Sequence, residues 1–210
     1  MSEIKTNSGI MIDPIRPRQE LIVIEDIAHA LSMLCRANGH FREFHSVGQH
    51  CINCMREAQA RGYSRRVQLA CLLHDGSEAY LSDVTRPVKE ELPVYRTIEE
   101  PLQDMIWEKW LGSPLTEEED RQVFAIDDAV LYHEFLHFMD TKLWEPAPVL
   151  QSKPVFEFTG FTETKQAFLS LFHSLIEYIK GLPTGSPFLR SITADIPRYG
   201  GRQQRRRLRR

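Results

Sequence analysis

The 210-residue chain lacks any apolar run approaching the length of a membrane span. Its first residues, Met1-Ser2-Glu3-Ile4-Lys5, lack the apolar core of a signal peptide. Cysteine is scarce. The four present, Cys35, Cys51, Cys54 and Cys71, sit in apolar helical patterns and not in a disulfide framework. They read as reduced, buried thiols of a cytoplasmic protein. Cys51-Ile52-Asn53-Cys54 has no second pair to complete a zinc ribbon, and no βαβ pattern surrounds it to suggest a redox motif. No internal repeat is present, and the arginine cluster Arg205-Arg206-Arg207 with Arg209-Arg210 has no interleaved aromatics of the kind that stack on bases.

What is present belongs to a globular chain. A 42% apolar and 26% charged composition excludes a disordered or fibrous class, and the length suits one domain with a substantial core. The net charge of −3 hides an asymmetry, because residues 198–210 carry seven arginines and no acid. The remainder holds 19 basic against 29 acidic residues, or −10. A basic stub on an acidic body is a weak nucleic-acid signal, so the stub reads as a solvated tail.

The hydrophobic pattern predicts a mainly α single domain with a small N-terminal β-hairpin. Residues 1–24 hold two β-rich runs, Gly9-Ile10-Met11-Ile12 and Leu21-Ile22-Val23-Ile24, with a turn at Asp13-Pro14-Ile15-Arg16-Pro17. From Glu25 the period turns helical, and Asn38-Gly39 is expected to stop that helix. Ser46 and Ser64 are N-cap candidates for the next two helices, the second running into His74-Asp75. A helix is expected over 98–111. Thr116 with its following glutamates starts one reaching about Met139, with Val123, Phe124, Ile126, Val130, Leu131, Phe135 and Phe138 in its apolar pattern. Residues 145–160 are proline-rich and irregular. A last amphipathic helix covers 163–179, so the helical domain spans 25–181 and a flexible Pro/Gly/Arg-rich tail spans 182–210.

Chemistry concentrates where the apolar run Val67, Leu69, Ala70, Cys71, Leu72, Leu73 delivers His74 and Asp75 to the edge of a dry interior. Carboxylates there need a cation or several donors to replace lost hydration. Adjacent helical residues point about 100° apart, so convergence on one atom requires a bend, and Gly76 is the residue that allows it. His74 and Glu78 at i,i+4, with Asp75 and Glu78 at i,i+3, suit two direct ligands with a carboxylate held just beyond. The same residues also fit an acidic helix end with solvated side chains. Adding His50 and Asp127 gives two imidazoles and two carboxylates on three helices. Such a set suits a divalent transition metal such as Mn, Fe, Co, Ni or Zn, and leaves positions for water and a phosphate oxygen.

The spacing His50, His74-Asp75, Asp127 resembles the HD-domain metal-dependent phosphohydrolase superfamily. Ser46-Val47-Gly48-Gln49-His50, then His74-Asp75-Gly76-Ser77-Glu78-Ala79-Tyr80-Leu81-Ser82-Asp83-Val84-Thr85-Arg86-Pro87-Val88-Lys89, then Ile126-Asp127, are similar to its small nucleotidase branch, over roughly residues 20–140. That branch includes bacterial 5′-deoxynucleotidases and phage dATP triphosphohydrolases. The resemblance implies an HD-type helical bundle with His50, His74, Asp75 and Asp127 as metal ligands and Glu78 positioning the attacking water. It also implies Asp83 near the sugar or leaving group, and Arg36 and Lys89 on phosphate. A deoxynucleotide substrate, a homo-oligomer and a cytoplasmic location (the host's, for a phage-encoded chain) are further implications. Members often carry an aromatic where this chain has Ala37 or His45, which bears on the base preferred. Glu134, seven residues from Asp127, shares its helix face and is expected beside the pocket in a supporting role.

Two alternatives stand beside this. His133-Glu134-Phe135-Leu136-His137 matches H-E-x-x-H on a predicted helix, the signature of a zincin peptidase, with Glu157 or Glu163 as a possible third ligand. The apolar residues of that helix, however, place His133 and His137 towards its rim. The other alternative is a non-catalytic nucleotide-binding module.

Overall fold

A computed structural model describes residues 2–181. The tail expected over 182–210 lies outside the described residues. The protein is mainly helical with a two-stranded antiparallel sheet at its N-terminal end. No helix among the described residues is long and apolar enough to cross a membrane.

The hairpin exists, but with different strands from those expected. β1 (Ile4–Lys5) pairs with β2 (Met11–Ile12) in the register Ile4 with Ile12 and Lys5 with Met11. Its turn is tied down by Asp26, whose carboxylate accepts from the Ser8 amide and hydroxyl, both at 2.7 Å. The run at 21–24 is no strand. Residues Gln19–Leu21 form a 3-10 turn leading into α1 (Ile24–Met33). Ile22 and Ile24 are buried, and the Gln19 and Ile22 carbonyls accept from Lys109 Nζ at 2.8 and 2.6 Å. A four-residue apolar run serves a buried approach to a helix as well as a strand.

α1 ends at Met33, earlier than Asn38-Gly39. Those residues instead form a left-handed turn, with φ of 52° at Ala37, 51° at Asn38 and 75° at Gly39. The loop closes on itself through the Arg36 amide donating to the His45 carbonyl at 2.9 Å. Arg36 is thereby set beside α2 (Val47–Ala60). Ser46 caps α2 in a reciprocal box with Gln49, and every residue from 47 to 55 is buried. α3 (Arg65–Leu73), capped by the Ser64 hydroxyl, is buried from Val67 to its end. A helix apolar on all sides belongs in the centre of the core. α2 and α3 pack on each other, with α1 and α8 (Phe161–Ile179) on one side and α7 (Glu117–Met139) on the other.

Two short helices, α4 (Glu78–Leu81) and α5 (Arg86–Glu90), precede α6 (Pro93–Leu111). α6 starts earlier than expected because Pro93 takes the first turn, where its missing N–H has no partner to lose. α7 begins at a capping box between Thr116 and Glu119, and its first turn holds four acids at the positive end of the helix dipole. Its exposure pattern corrects one reading: Phe124 is 57% exposed, whereas Tyr132, absent from the expected pattern, is fully buried.

Candidate metal centre

The apolar α3 stops at Leu73, and residues 74–77 make a turn before α4. The Gly76 amide donates to the Leu73 carbonyl at 2.9 Å. A Cβ on Gly76 would lie 2.9 Å from that same carbonyl oxygen and 3.2 Å from an Ile106 methyl, so a side chain is excluded by close approach and not by φ. Gln103 of α6 staples the bend: its Nε2 donates to the Leu73 carbonyl at 2.8 Å and its Oε1 accepts from the Ser77 amide at 3.0 Å. His74 and Asp75 therefore leave the helix at a joint, with His74 Nε2 3.4 Å from Asp75 Oδ1.

α2 and α7 supply the rest. His50 Nε2 lies 3.2 Å from His74 Nε2 and 3.0 Å from Asp127 Oδ1. It is 3.8 Å from Asp75 Oδ2, and His74 Nε2 is 3.6 Å from Asp127 Oδ1. The four side chains expected to hold metal thus come together. Cys54 Sγ is 3.5 Å from His50 Nε2, and His50, Cys54, His74 and Asp127 offer donor atoms all within 4.8 Å of one another. Cys51, His74 and Asp75 form a second, overlapping group. The thiols were expected to be buried, and they are. Their position against the imidazoles was not expected, because the i,i+4 relation of His50 to Cys54 was the only signal. Burial pushes the Cys51 thiol up to about 11 and the Cys71 thiol up to about 12.

The other nitrogen of each ring is committed. His50 Nδ1 meets Glu134 Oε1 at 2.7 Å, and His74 Nδ1 meets the Cys71 carbonyl at 2.8 Å. With Nδ1 donating in both rings, the neutral form of each ring turns its Nε2 lone pair towards the other ring and a carboxylate. That donor set fits a divalent cation, since oriented imidazoles with carboxylate or carbonyl partners are the usual metal-binding form. Charge agrees. Asp75, Glu78, Asp83, Asp127 and Glu134 outnumber the cations beside them, Arg36, Lys89 and Arg86, and like charges about 4 Å apart repel by roughly 4 kcal/mol at an effective dielectric of about 20. Burial pushes the imidazoles of His50 and His74 down, yet the surrounding carboxylates prevail and hold both above the ordinary value. The pocket draws positive charge to these rings.

Glu134 is fully buried and central. Besides His50 it meets His45 Nε2 at 3.2 Å and accepts from Arg36 Nε and Nη2 at 3.4 Å each. Burial raises its carboxyl, but His50 and Arg36 outweigh that and hold it well below the usual range. Arg36 also reaches Asp75 at 3.5 Å. Lys89 lies between Glu78 at 3.3 Å and Glu99 at 2.6 Å. Both residues expected to bind phosphate are thus at the site, engaged with carboxylates. Glu78 is buried, its Oε2 has no partner, and burial with Asp75 and Asp83 pushes its carboxyl well up. Asp83 follows Ser82, a positive-φ residue whose carbonyl accepts from Tyr95 Oη at 2.9 Å. Burial raises Asp83, with Arg36 opposing.

The histidines of the H-E-x-x-H motif are elsewhere. His133 Nε2 pairs with the Pro148 carbonyl at 2.9 Å, and His137 is exposed and stacks on Phe156 with ring centroids 4.7 Å apart. Glu134 points to the opposite side, into the His50 cluster. Glu157 and Glu163 are exposed. Among the described residues, the groups able to hold a metal contain neither His133 nor His137.

No family model matches the chain. It is 38% identical over 110 residues to the uncharacterized protein YfdR of Escherichia coli strain K12, covering 52% of this chain and 59% of that protein. It is 40% identical over 87 residues to the uncharacterized protein RCAP_rcc00048 of Rhodobacter capsulatus, covering 39% of this chain and 44% of that one. The chain spans about half the length of these curated relatives, and neither name carries an activity.

Proposed function

We propose that this chain is an HD-type, divalent-metal-dependent phosphohydrolase that cleaves a deoxynucleotide at the bond between O5′ and the α-phosphorus. The products are a deoxynucleoside plus triphosphate or phosphate. One observation carries the reading: two imidazoles with committed Nδ1 atoms meet Asp127 in one group able to hold a metal, and Asp75 lies 3.4 Å from His74 and 3.8 Å from His50. His50, His74, Asp75 and Asp127 would hold a divalent cation, which would supply Lewis acidity towards a phosphoryl oxygen and water.

The remaining steps belong to the chain's own side chains. Glu78 keeps one oxygen on Lys89 and the other without a partner, so Oε2 can hydrogen-bond and orient the water attacking the α-phosphorus. The P–O5′ bond then breaks, and Asp83, whose carboxyl burial raises, donates its proton to O5′ and regains one from the oxygen that the water brought to phosphorus. Arg36 and Lys89 offset phosphate charge while holding Glu134, Asp75 and Glu78 in place. Positioning and electrostatics are most of what phosphoryl transfer requires of a protein.

The test is a screen of deoxynucleoside mono- and triphosphates with the purified full chain and Mn or Co, followed by product analysis. Free phosphate marks a 5′-nucleotidase and intact triphosphate a triphosphohydrolase. His74→Ala or Asp75→Ala should lower turnover by more than about 100-fold, beyond the roughly 10–100-fold cost of losing an outer partner of a ligand. Undiminished turnover in either variant rejects this site, and nucleotide binding without turnover in the wild type favours a binding module.

A further inference from the structure

Three cations stand at this centre, and they are held differently. The Arg36 side chain is 11% exposed and that of Lys89 20%, each locked between carboxylates of the site. Arg86 is 44% exposed. It opens α5, and three side chains of α7 at spacing i, i+3 and i+4 grip its guanidinium. The Phe124 ring centroid lies 5.6 Å from the guanidinium carbon, Asp127 Oδ2 accepts from Nη2 at 3.3 Å, and Asp128 Oδ1 accepts from Nη1 at 2.8 Å. Asp127 thereby divides its carboxylate, with Oδ1 towards the imidazoles and Oδ2 towards Arg86. The exposure of Phe124, which the apolar pattern of α7 does not explain, is accounted for by this stacking.

We propose that Arg86 is a specificity-determining residue, a rim cation that receives the outer phosphates of a polyphosphate chain and makes nucleoside triphosphates the substrate class. The proposal rests on the phosphohydrolase reading. Once Asp127 helps to hold a cation, less of its charge would be left for Arg86 and its hold on the guanidinium would weaken. Asp128 and Phe124 then keep the guanidinium at the mouth, with donors free for an anion. Exposed ion pairs exchange partners cheaply, whereas breaking a buried pair such as Arg36 with Glu134 is expensive. Arg86 is therefore the cation able to change partners when substrate arrives. Its planar fork matches phosphate oxygens two at a time. A monophosphate has no second phosphate to offer it.

The experiment titrates the full chain at saturating manganese with tripolyphosphate and, separately, orthophosphate. Arg86→Gln should weaken tripolyphosphate by about 10–100-fold, the size of a charge-assisted pair, and change orthophosphate by less than about 3-fold. Arg86→Lys should restore part of the loss. Asp128→Asn, which removes a competitor for the guanidinium, should tighten tripolyphosphate binding. Manganese affinity of Arg86→Gln, read from the free-ion paramagnetic signal, should hold or rise, because a cation beside a ligand has been removed. Equal loss for both anions, unchanged tripolyphosphate binding, or loss of manganese overturns the proposal. Failure of the underlying reading shows separately, as wild-type protein that releases neither phosphate nor triphosphate from any deoxynucleotide.

Discussion

The two faces of α2 both bury polar side chains, and they do so to different ends. On the outward face Gln49, Asn53 and Glu57, spaced by four, hold the irregular segment that follows α7. Gln49 Nε2 donates to the Glu157 carbonyl, Asn53 exchanges bonds with both backbone groups of Val155, and Glu57 accepts from the Gln151 and Ser152 amides, the Ser152 hydroxyl and Arg61. Those side chains find complementary partners within the protein. On the inward face His50 and Cys54 meet His74 and Asp127 in a group that could hold a metal ion. Satisfied buried polarity holds a chain in place. Buried polarity made of metal-ligating side chains could hold an ion instead.

That contrast can be broken from either side. The largest effect should come from Glu134→Gln, which unties His50 Nδ1, His45 and Arg36 together. Metal affinity by competition titration should fall about 10–100-fold while the far-UV spectrum is kept; an unchanged affinity would mean that Glu134 does not set the ring. Glu57→Ala should do the reverse, costing roughly 1–3 kcal/mol in denaturant unfolding by leaving the Gln151 and Ser152 amides unpaired, with metal affinity intact. Gly76→Ala sharpens the inward side, since the new Cβ meets backbone 2.9 Å away. A cost of about 1–3 kcal/mol should lower Tm by about 2–4 °C per kcal/mol, and a neutral result would show that the bend can relax.

The smallest effect is a pH dependence. Burial raises Glu57, but the donors from Ser152, Gln151 and Arg61 outweigh it and hold the carboxyl below its ordinary value. Its stabilisation is then complete above the unfolded value near about 4.3 and lost as pH falls through the lower folded value. Amide exchange at Gln151 and Ser152 should quicken across that acid window in the wild type. A Glu57→Gln variant, with no proton to gain, should show no such step.

Much of this was legible in the residues. Ser46, Ser64 and Thr116 announce their helices because a cap is a local event, and the structure finds all three in use. His74-Asp75-Gly76 announced a bend for the same reason. Distance in sequence hides the rest. Gln103 staples that bend from another helix, and an internal glutamine carries no mark of it. Residues 145–160 read as irregular, but their anchors are bonds from α2 to groups about a hundred residues away. Ile4–Lys5 lost to Leu21–Ile24 as the hairpin's partner because hydrophobicity alone does not separate a strand from a buried approach to a helix.

The ladder on the outer face of α2 has a further consequence. The connection at 140–147, between α7 and the anchored segment, is exposed at most of its positions. The fragment beyond it carries its own attachments: the rungs on Gln49, Asn53 and Glu57, and α8 packed against α1, α2 and α3. A protease nicking that connection would yield two pieces that travel together on a sizing column. Expressed separately, they offer a split protein whose reunion rebuilds the cluster around His50.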